Sequence, residues 1–250
     1  MFLSFILPCY NELENIPRIR DEFCPVVQQL AESQQVEIVF IDDGSQDGTW
    51  EALRETFQGN NDLRIDIRIE RHQQNRGLGA ALRTGFAAAR GEVIVTTDSD
   101  GTYEFDSLPD LLSLLAPDVD IVTGSPYHPQ GGVDGVPAFR LVLSKGSSLI
   151  YRLLVDWKIH TYTSLYRVYR RRVIENITSS ENGYMAGTEI LVRGMLEGYR
   201  VVEYPTVLRV RQYGASKARI LRTILAHLKF QGWILLRSFR SKSNIGGENV

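Results

Sequence analysis

Asp98 and Asp100 stand one residue apart in VTTDSDGTYEF, at the end of a run of strand-forming residues. Carboxylates that close repel each other unless a cation, a proton or a set of donors compensates them. A site of one or two carboxylates completed by ligand phosphates suits Mg²⁺ or Mn²⁺, hard cations that keep several waters and bridge to a diphosphate. A calcium loop fits poorly, because an EF-hand wants Gly where Tyr103 stands and an acid where Pro109 stands.

Two further polar clusters follow apolar runs. Asp42-Asp43-Gly44-Ser45 ends the second, and carboxylates there can accept hydrogen bonds from a nucleobase or ribose hydroxyls. Asp47 to Thr49 reads as turn chemistry leading into a helix cap. Pro8-Cys9-Tyr10-Asn11-Glu12 ends the first run, and Tyr10 and Glu12 beside those aspartates suggest a nucleotide pocket. Arg76-Gly77-Leu78-Gly79 precedes a helix of small residues. Its GxG is a weak phosphate signal, and close packing of the helix on a sheet accounts better for the small residues, with Arg76 in reach of a ligand. A G-x-G-x-x-G after the first run is absent, which argues against a dinucleotide oxidoreductase. A sugar-1-phosphate nucleotidyltransferase would need a Gly-rich, Arg-bearing loop where PCYNE stands.

The elements that must position these clusters alternate along the first half. Strands are expected over Phe2–Leu7, Val36–Ile41, Leu63–Ile69, Val93–Thr97 and Asp120–Thr123, and helices over Ile16–Ala31, Thr49–Phe57, Gly79–Ala89 and Ser107–Leu115, the last capped by Asp106. Such alternation implies βαβ units and a doubly wound, mostly parallel α/β sheet, whose ligands bind beyond the carboxyl ends of the strands. All three clusters then converge on one sheet edge. Gly124–Pro137 reads as a long loop, Phe139–Leu154 as a helix, Ser164–Tyr169 as a returning strand, Thr188–Leu196 as a helix and Val201–Val210 as strand broken at Pro205. A basic amphipathic helix is expected over 218–240, after a catalytic domain over 1–217, with 241–250 a disordered tail.

Composition bounds the rest. The chain has 250 residues, 43% hydrophobic and 23% charged, with a net charge of -2 that gives no support to a whole-protein nucleic-acid binder. From Thr206 onward, however, basic residues face a single acid, Glu248, so that end favours anionic substrates or an anionic membrane surface. Cys9 and Cys24 are too few for a disulfide framework. No secretory signal and no run of roughly 20 apolar residues is present, so a cytoplasmic protein attached peripherally to the cytoplasmic face of a membrane is expected.

Taken in order and spacing, Pro8 to Glu12, Asp42-Asp43-Gly44-Ser45, Arg76-Gly77-Leu78-Gly79, Asp98-x-Asp100 and Gly124-Ser125 resemble the inverting family 2 glycosyltransferases of the GT-A fold. Arg140 with Ser144, Thr163 to Arg167, Glu189 and Arg211 to Lys217 are similar to the polyprenyl (dolichyl) phosphate mannose or glucose synthases. The resemblance implies a divalent cation, Mg²⁺ or Mn²⁺, on Asp98 and Asp100. It implies a nucleoside held at Pro8, Tyr10, Glu12 and Asp43 with Asp42 nearby. It also implies donor and acceptor phosphates on Arg140, Arg211 and Lys217, and makes Asp100 with these three the catalytic set. The partners implied are a nucleotide sugar of the GDP-mannose or UDP-glucose class and a polyprenyl phosphate. This chain departs from the pattern at Pro126, usually arginine, at Leu165, usually glycine, and at Thr102, where some members carry a metal-binding glutamine. A lipid phosphate is already an anionic nucleophile and needs no general base. A sugar hydroxyl would need one, for which Asp156, His160 and Glu189 are candidates. A transferase to a glycan hydroxyl and a non-catalytic nucleotide-sugar binding module are the competing readings.

Overall fold

The computed structural model describes residues 1–59, 65–211 and 220–245, with side chains through Ser238. Its strands are β1 (Phe2–Cys9), β2 (Gln35–Asp42), β3 (Asp66–Arg71), β4 (Val93–Thr96), β5 (Ile121–Ser125), β6 (Gly132–Asp134), β7 (Arg167–Arg170), β8 (Val201–Pro205) and β9 (Val207–Arg209). Seven of them form one sheet in the order β3-β2-β1-β4-β7-β5-β8. Every neighbour pair is parallel except those of β7, which runs antiparallel to β4 and β5. The expected mostly parallel α/β sheet is therefore present. β6 and β9 make a separate parallel pair.

The helices are α1 (Ile16–Arg18), α2 (Cys24–Ala31), α3 (Thr49–Phe57), α4 (Leu78–Ala88), α5 (Leu108–Ser113), α6 (Ala138–Leu154), α7 (Arg171–Asn176), α8 (Ala186–Leu196) and α9 (Ile220–Ile245). They cover both faces of the sheet, and this explains the near-continuous apolar runs of its central strands. Alternation still sorts β1. Leu3, Phe5 and Leu7 pack with Phe23, Phe40 and Leu53, whereas Ile6 packs with Val39, Ile41 and Leu82 beneath α4. Gly85 lets α4 approach so closely that a Cβ there would lie 2.5 Å from Ile6 Cγ2. Another cluster joins Tyr151 of α6, Ile190 of α8 and Phe230 and Ile234 of α9, docking the C-terminal helix onto the domain.

Several expectations need correction. The helix over 16–31 is broken into α1, a π-helical segment (Ile19–Phe23) and α2, where Pro17 and Pro25 remove backbone donors. Ser107, not Asp106, precedes α5, and no side chain caps it. The long loop after β5 contains β6, paired with β9, so it is partly ordered by sheet bonds. The returning strand begins at Arg167, three residues later than expected. The C-terminal helix runs on to Ile245, into the segment expected to be disordered, and residues 246–250 lie outside the described residues.

Candidate active site

Parallel register sets the site. Cys9 pairs with Asp42, Ile6 pairs with Thr96, and the Asp43 amide donates to the Cys9 carbonyl at 2.8 Å. The segments after β1, β2 and β4 thus leave the same sheet edge and line one cleft of about 550 Å³. Pro8, Tyr10 and Glu12, Asp43, and Asp98 and Asp100 all face it, joined by Arg140 of α6 and by Arg211 beyond β9.

Two carboxylates, Asp100 and Glu12, meet one guanidinium here. Asp100 Oδ1 accepts the Thr102 backbone N–H at 3.1 Å and the Thr102 hydroxyl. Its Oδ2 accepts Arg211 Nε at 3.0 Å and Nη2 at 2.5 Å. Arg211 Nη2 also reaches Glu12 Oε1 at 3.3 Å, while Glu12 Oε2 accepts Asn15 Nδ2 at 2.6 Å. Thr102, a departure from the family pattern, is thus a clamp on Asp100. A D-x-T spacing is a recognisable side-chain turn signal, so this role was open to sequence reasoning. Gly101 beside it has φ +67, and a Cβ there would run into the Arg18 guanidinium, which sits within 3.4 Å of the Asp100 and Gly101 carbonyls.

Asp98 differs from its neighbour. It is half-buried, and among the described residues no donor reaches it. Burial, followed by the charge of Asp100 and then that of Glu12, pushes its carboxyl up to about 8, with Arg211 opposing. An oxygen-only pair with one carboxylate lacking donors is what a hard divalent cation requires, so the residues present fit Mg²⁺ or Mn²⁺.

The nucleotide-side expectations divide. Asp43 lines the cleft, but its oxygens are taken by His72 Nδ1 (2.6 Å), Asn75 Nδ2 (3.0 Å) and the amides of Arg76 (2.9 Å) and Gly77 (2.8 Å). With four donors it is saturated, and its work is to hold the turn before α4. Neither His72 nor Asn75 belongs to a motif that sequence reasoning could have used. Asp42 does not line the cleft. It is fully buried, accepting the Ser45 amide at 3.1 Å and lying 3.2 Å from Arg71 Nε. Arg76 is exposed and is not among the residues lining the cleft, although its neighbours Asn75 and Gly77 are, and its amide is anchored to Asp43. Neither Asp42 nor Arg76 lines the cleft that holds Tyr10 and Glu12. Lys217 lies outside the described residues.

The Gly77–Gly79 pair packs, as expected, although against a loop as well as the sheet. The Gly79 amide donates to Asn182 O at 2.9 Å, and a Cβ on either glycine would strike the 181–182 backbone. Glu189 fixes that loop by accepting Ser179 Oγ at 2.7 Å and the amides of Ser180 and Glu181 at 3.1 Å each. Glu189, Asp156 and His160 line neither this cleft nor the one beside it, and His160 is tied to Glu203 at 2.7 Å.

A second cleft of about 540 Å³ opens between α6 and α9. Its walls are apolar, including Val142, Leu143 and Ile150 of α6 and Ile220, Ile224 and Leu228 of α9. His227 also lines it, and burial drives its imidazole down to about 4, leaving it neutral. The two clefts share Asp98, Thr102, Tyr127, Arg140, Ser144 and Tyr184, so the apolar groove runs into the carboxylate site.

Comparison with known proteins agrees with this arrangement. The profile of glycosyl transferase family 2 matches residues 4–178. Polyprenol monophosphomannose synthase of Mycolicibacterium smegmatis is 36% identical over 221 residues, 85% of this chain and 79% of that protein. Dolichol-phosphate mannosyltransferase of Pyrococcus furiosus is 30% identical over 242 residues, 94% of this chain and 66% of that protein. Among solved structures, glucosyl-3-phosphoglycerate synthase of Mycobacterium tuberculosis with Mn²⁺, UDP and phosphoglyceric acid superposes with a TM-score of 0.68 at 19% identity, covering 92% of this chain and 78% of that one. The same enzyme with Mg²⁺ and UDP gives 0.67 at 18% identity, covering 92% and 79%. At that identity the likeness is one of fold, and the fold is GT-A.

Proposed function

Because the chain belongs to glycosyl transferase family 2, we propose that it moves a hexose, with inversion, from a nucleotide sugar to a polyprenyl phosphate. The observation that carries this reading is the junction of the two clefts at Asp98, Arg140 and Ser144. A donor diphosphate at the carboxylate end and an isoprenoid chain in the apolar groove would bring their reacting ends together there. The names of the two curated relatives favour mannose over glucose as the sugar moved, and with it the GDP-mannose class of donor weighed above.

Asp98 and Asp100 would hold the Mg²⁺ or Mn²⁺, which supplies neutralisation of charge on the departing nucleoside diphosphate. Tyr10 and Glu12 border the nucleoside side, with Pro8 at the strand end. Arg140, half-buried at the junction, is placed to pair with the acceptor phosphate; Arg211, and Lys217 by resemblance, would complete a cationic cradle. An anionic phosphate oxygen attacks without a general base, and among the described residues the expected base candidates all lie away from both clefts. This supports the phosphate acceptor over a sugar hydroxyl.

A membrane surface would present such an acceptor. α6 and α9 expose Val142 (69%), Leu153 (69%), Leu221 (79%) and Leu225 (66%), with Arg152, Arg222 and Lys229 on the same helices. Exposed apolar side chains among basic ones suit an interfacial location on an anionic bilayer. No described helix is long and apolar enough to cross a membrane.

The two halves of the site can be separated with labelled GDP-mannose, Mn²⁺ and a polyprenyl phosphate. Asp98→Asn is expected to abolish turnover. Arg140→Ala should raise KM for the lipid about 10- to 100-fold, the loss of a charged hydrogen bond, with KM for the donor little changed. Unaltered lipid KM in Arg140→Ala would refute the placement of the acceptor phosphate.

A further inference from the structure

From the ion pairs in the cleft we infer that Arg211 is a stand-in for the cation, held on Asp100 until metal and nucleotide arrive together. The inference rests on the metal reading above and concerns how that site is regulated.

The geometry leaves little choice. Both lone-pair directions of Asp100 Oδ1 are taken by the Thr102 amide and hydroxyl. A cation approaching Asp100 must therefore use Oδ2, where Arg211 Nε and Nη2 already donate at 3.0 and 2.5 Å. A guanidinium and a divalent cation cannot share one carboxylate oxygen, because like charges at contact distance repel strongly in a partly buried site. The Arg211 side chain is only 16% exposed, and the carboxylates it bridges, Asp100 and Glu12, are 13% and 8% exposed. Releasing it from both carboxylates with no new anionic partner would leave a charge among poorly solvated groups. Metal alone therefore meets an occupied oxygen. A nucleoside diphosphate changes the balance, because its phosphates offer the displaced guanidinium a new anionic partner while bridging the metal. Arg211 thus makes metal and nucleotide binding positively cooperative, and the cation that enters at +2 frees a +1 charge for the phosphates. By linkage the coupling is reciprocal, so Mn²⁺ tightens nucleotide binding by the same factor.

The test is Mn²⁺ affinity, read from the spin-resonance signal of free Mn²⁺, without nucleotide and with saturating GDP or UDP in separate titrations. It compares wild type, Arg211→Ala and the closer isostere Arg211→Met, each checked for native circular dichroism. In wild type, nucleotide should tighten Mn²⁺ binding by a factor within the usual coupling range of about 5- to 150-fold. In both variants Mn²⁺ alone should bind tighter than to wild type, and the nucleotide effect should shrink. Equal or weaker binding of Mn²⁺ alone to both variants, or coupling as large as in wild type, overturns the stand-in role while leaving the metal site intact. If wild type binds no Mn²⁺ even with nucleotide, the metal reading itself falls, and the inference with it.

Discussion

Asp98 and Asp100 share a strand end but not a chemistry. Donors occupy both oxygens of Asp100, whereas Asp98, which lacks them, is pushed up to about 8 chiefly by burial. The folded chain therefore keeps a proton on Asp98 that the unfolded chain sheds near 3.8. Its contribution to stability is full below about 3.8 and is lost as pH rises towards about 8. Asp98→Asn should accordingly give a flatter stability-against-pH curve between those limits than wild type, measured by urea unfolding without metal. Parallel curves would contradict the perturbed carboxyl. Metal binding must expel the same proton, so Mn²⁺ affinity should climb with pH and level off above about 8. Little of this was legible beforehand. The D-x-D spacing named the pair, but which member lacks donors depends on Thr102 and on Arg211, more than a hundred residues downstream.

At the scale of elements, the cleft depends on how closely α4 meets the 179–182 loop. Gly79→Ala would drive a Cβ into the Glu181 carbonyl and within 2.7 Å of Ala186 Cβ. It should cost about 1–3 kcal/mol of stability, measured from the urea midpoint. Gly146→Ala in α6, where a Cβ meets nothing within 4 Å, should instead be neutral or stabilising by about 1 kcal/mol. A Gly79→Ala variant as stable as wild type would show that the glycine serves something other than packing. The sequence carried the strands and most helices in this region because the central strands are mostly apolar, with few exceptions such as Ser4 and Glu37, and the helices between them are amphipathic. It was silent on the placement of Asp42 and Arg76, since residue type announces a polar strand end but not whether the side chain turns into the core, the cleft or solvent. Asp43 reached the cleft as expected, yet His72, Asn75 and two amides use its acceptor capacity, a network that no linear spacing encodes.

At the scale of the whole molecule, the polar cleft built by the β1, β2 and β4 ends and the apolar groove between α6 and α9 form one continuous depression. The first was readable from three clusters separated by βαβ spacing. The second was not, because α6 and α9 meet through tertiary contacts, the packing of Tyr151, Phe230 and Ile234 and the Tyr151 hydroxyl–His227 Nδ1 hydrogen bond among them, and the basic residues of α9 drew attention from the leucines it exposes. On the proposed function, this depression joins a sugar donor to a phosphate-bearing lipid. The most direct measurement is transfer of labelled mannose from GDP-mannose, with Mn²⁺, to a polyprenyl phosphate and, in parallel, to the matching phosphate-free polyprenol and to free saccharides. Label is expected in the organic phase with the polyprenyl phosphate alone, as an acid-labile polyprenyl sugar phosphate. Label on the polyprenol or on the saccharides, with none on the polyprenyl phosphate, would contradict it.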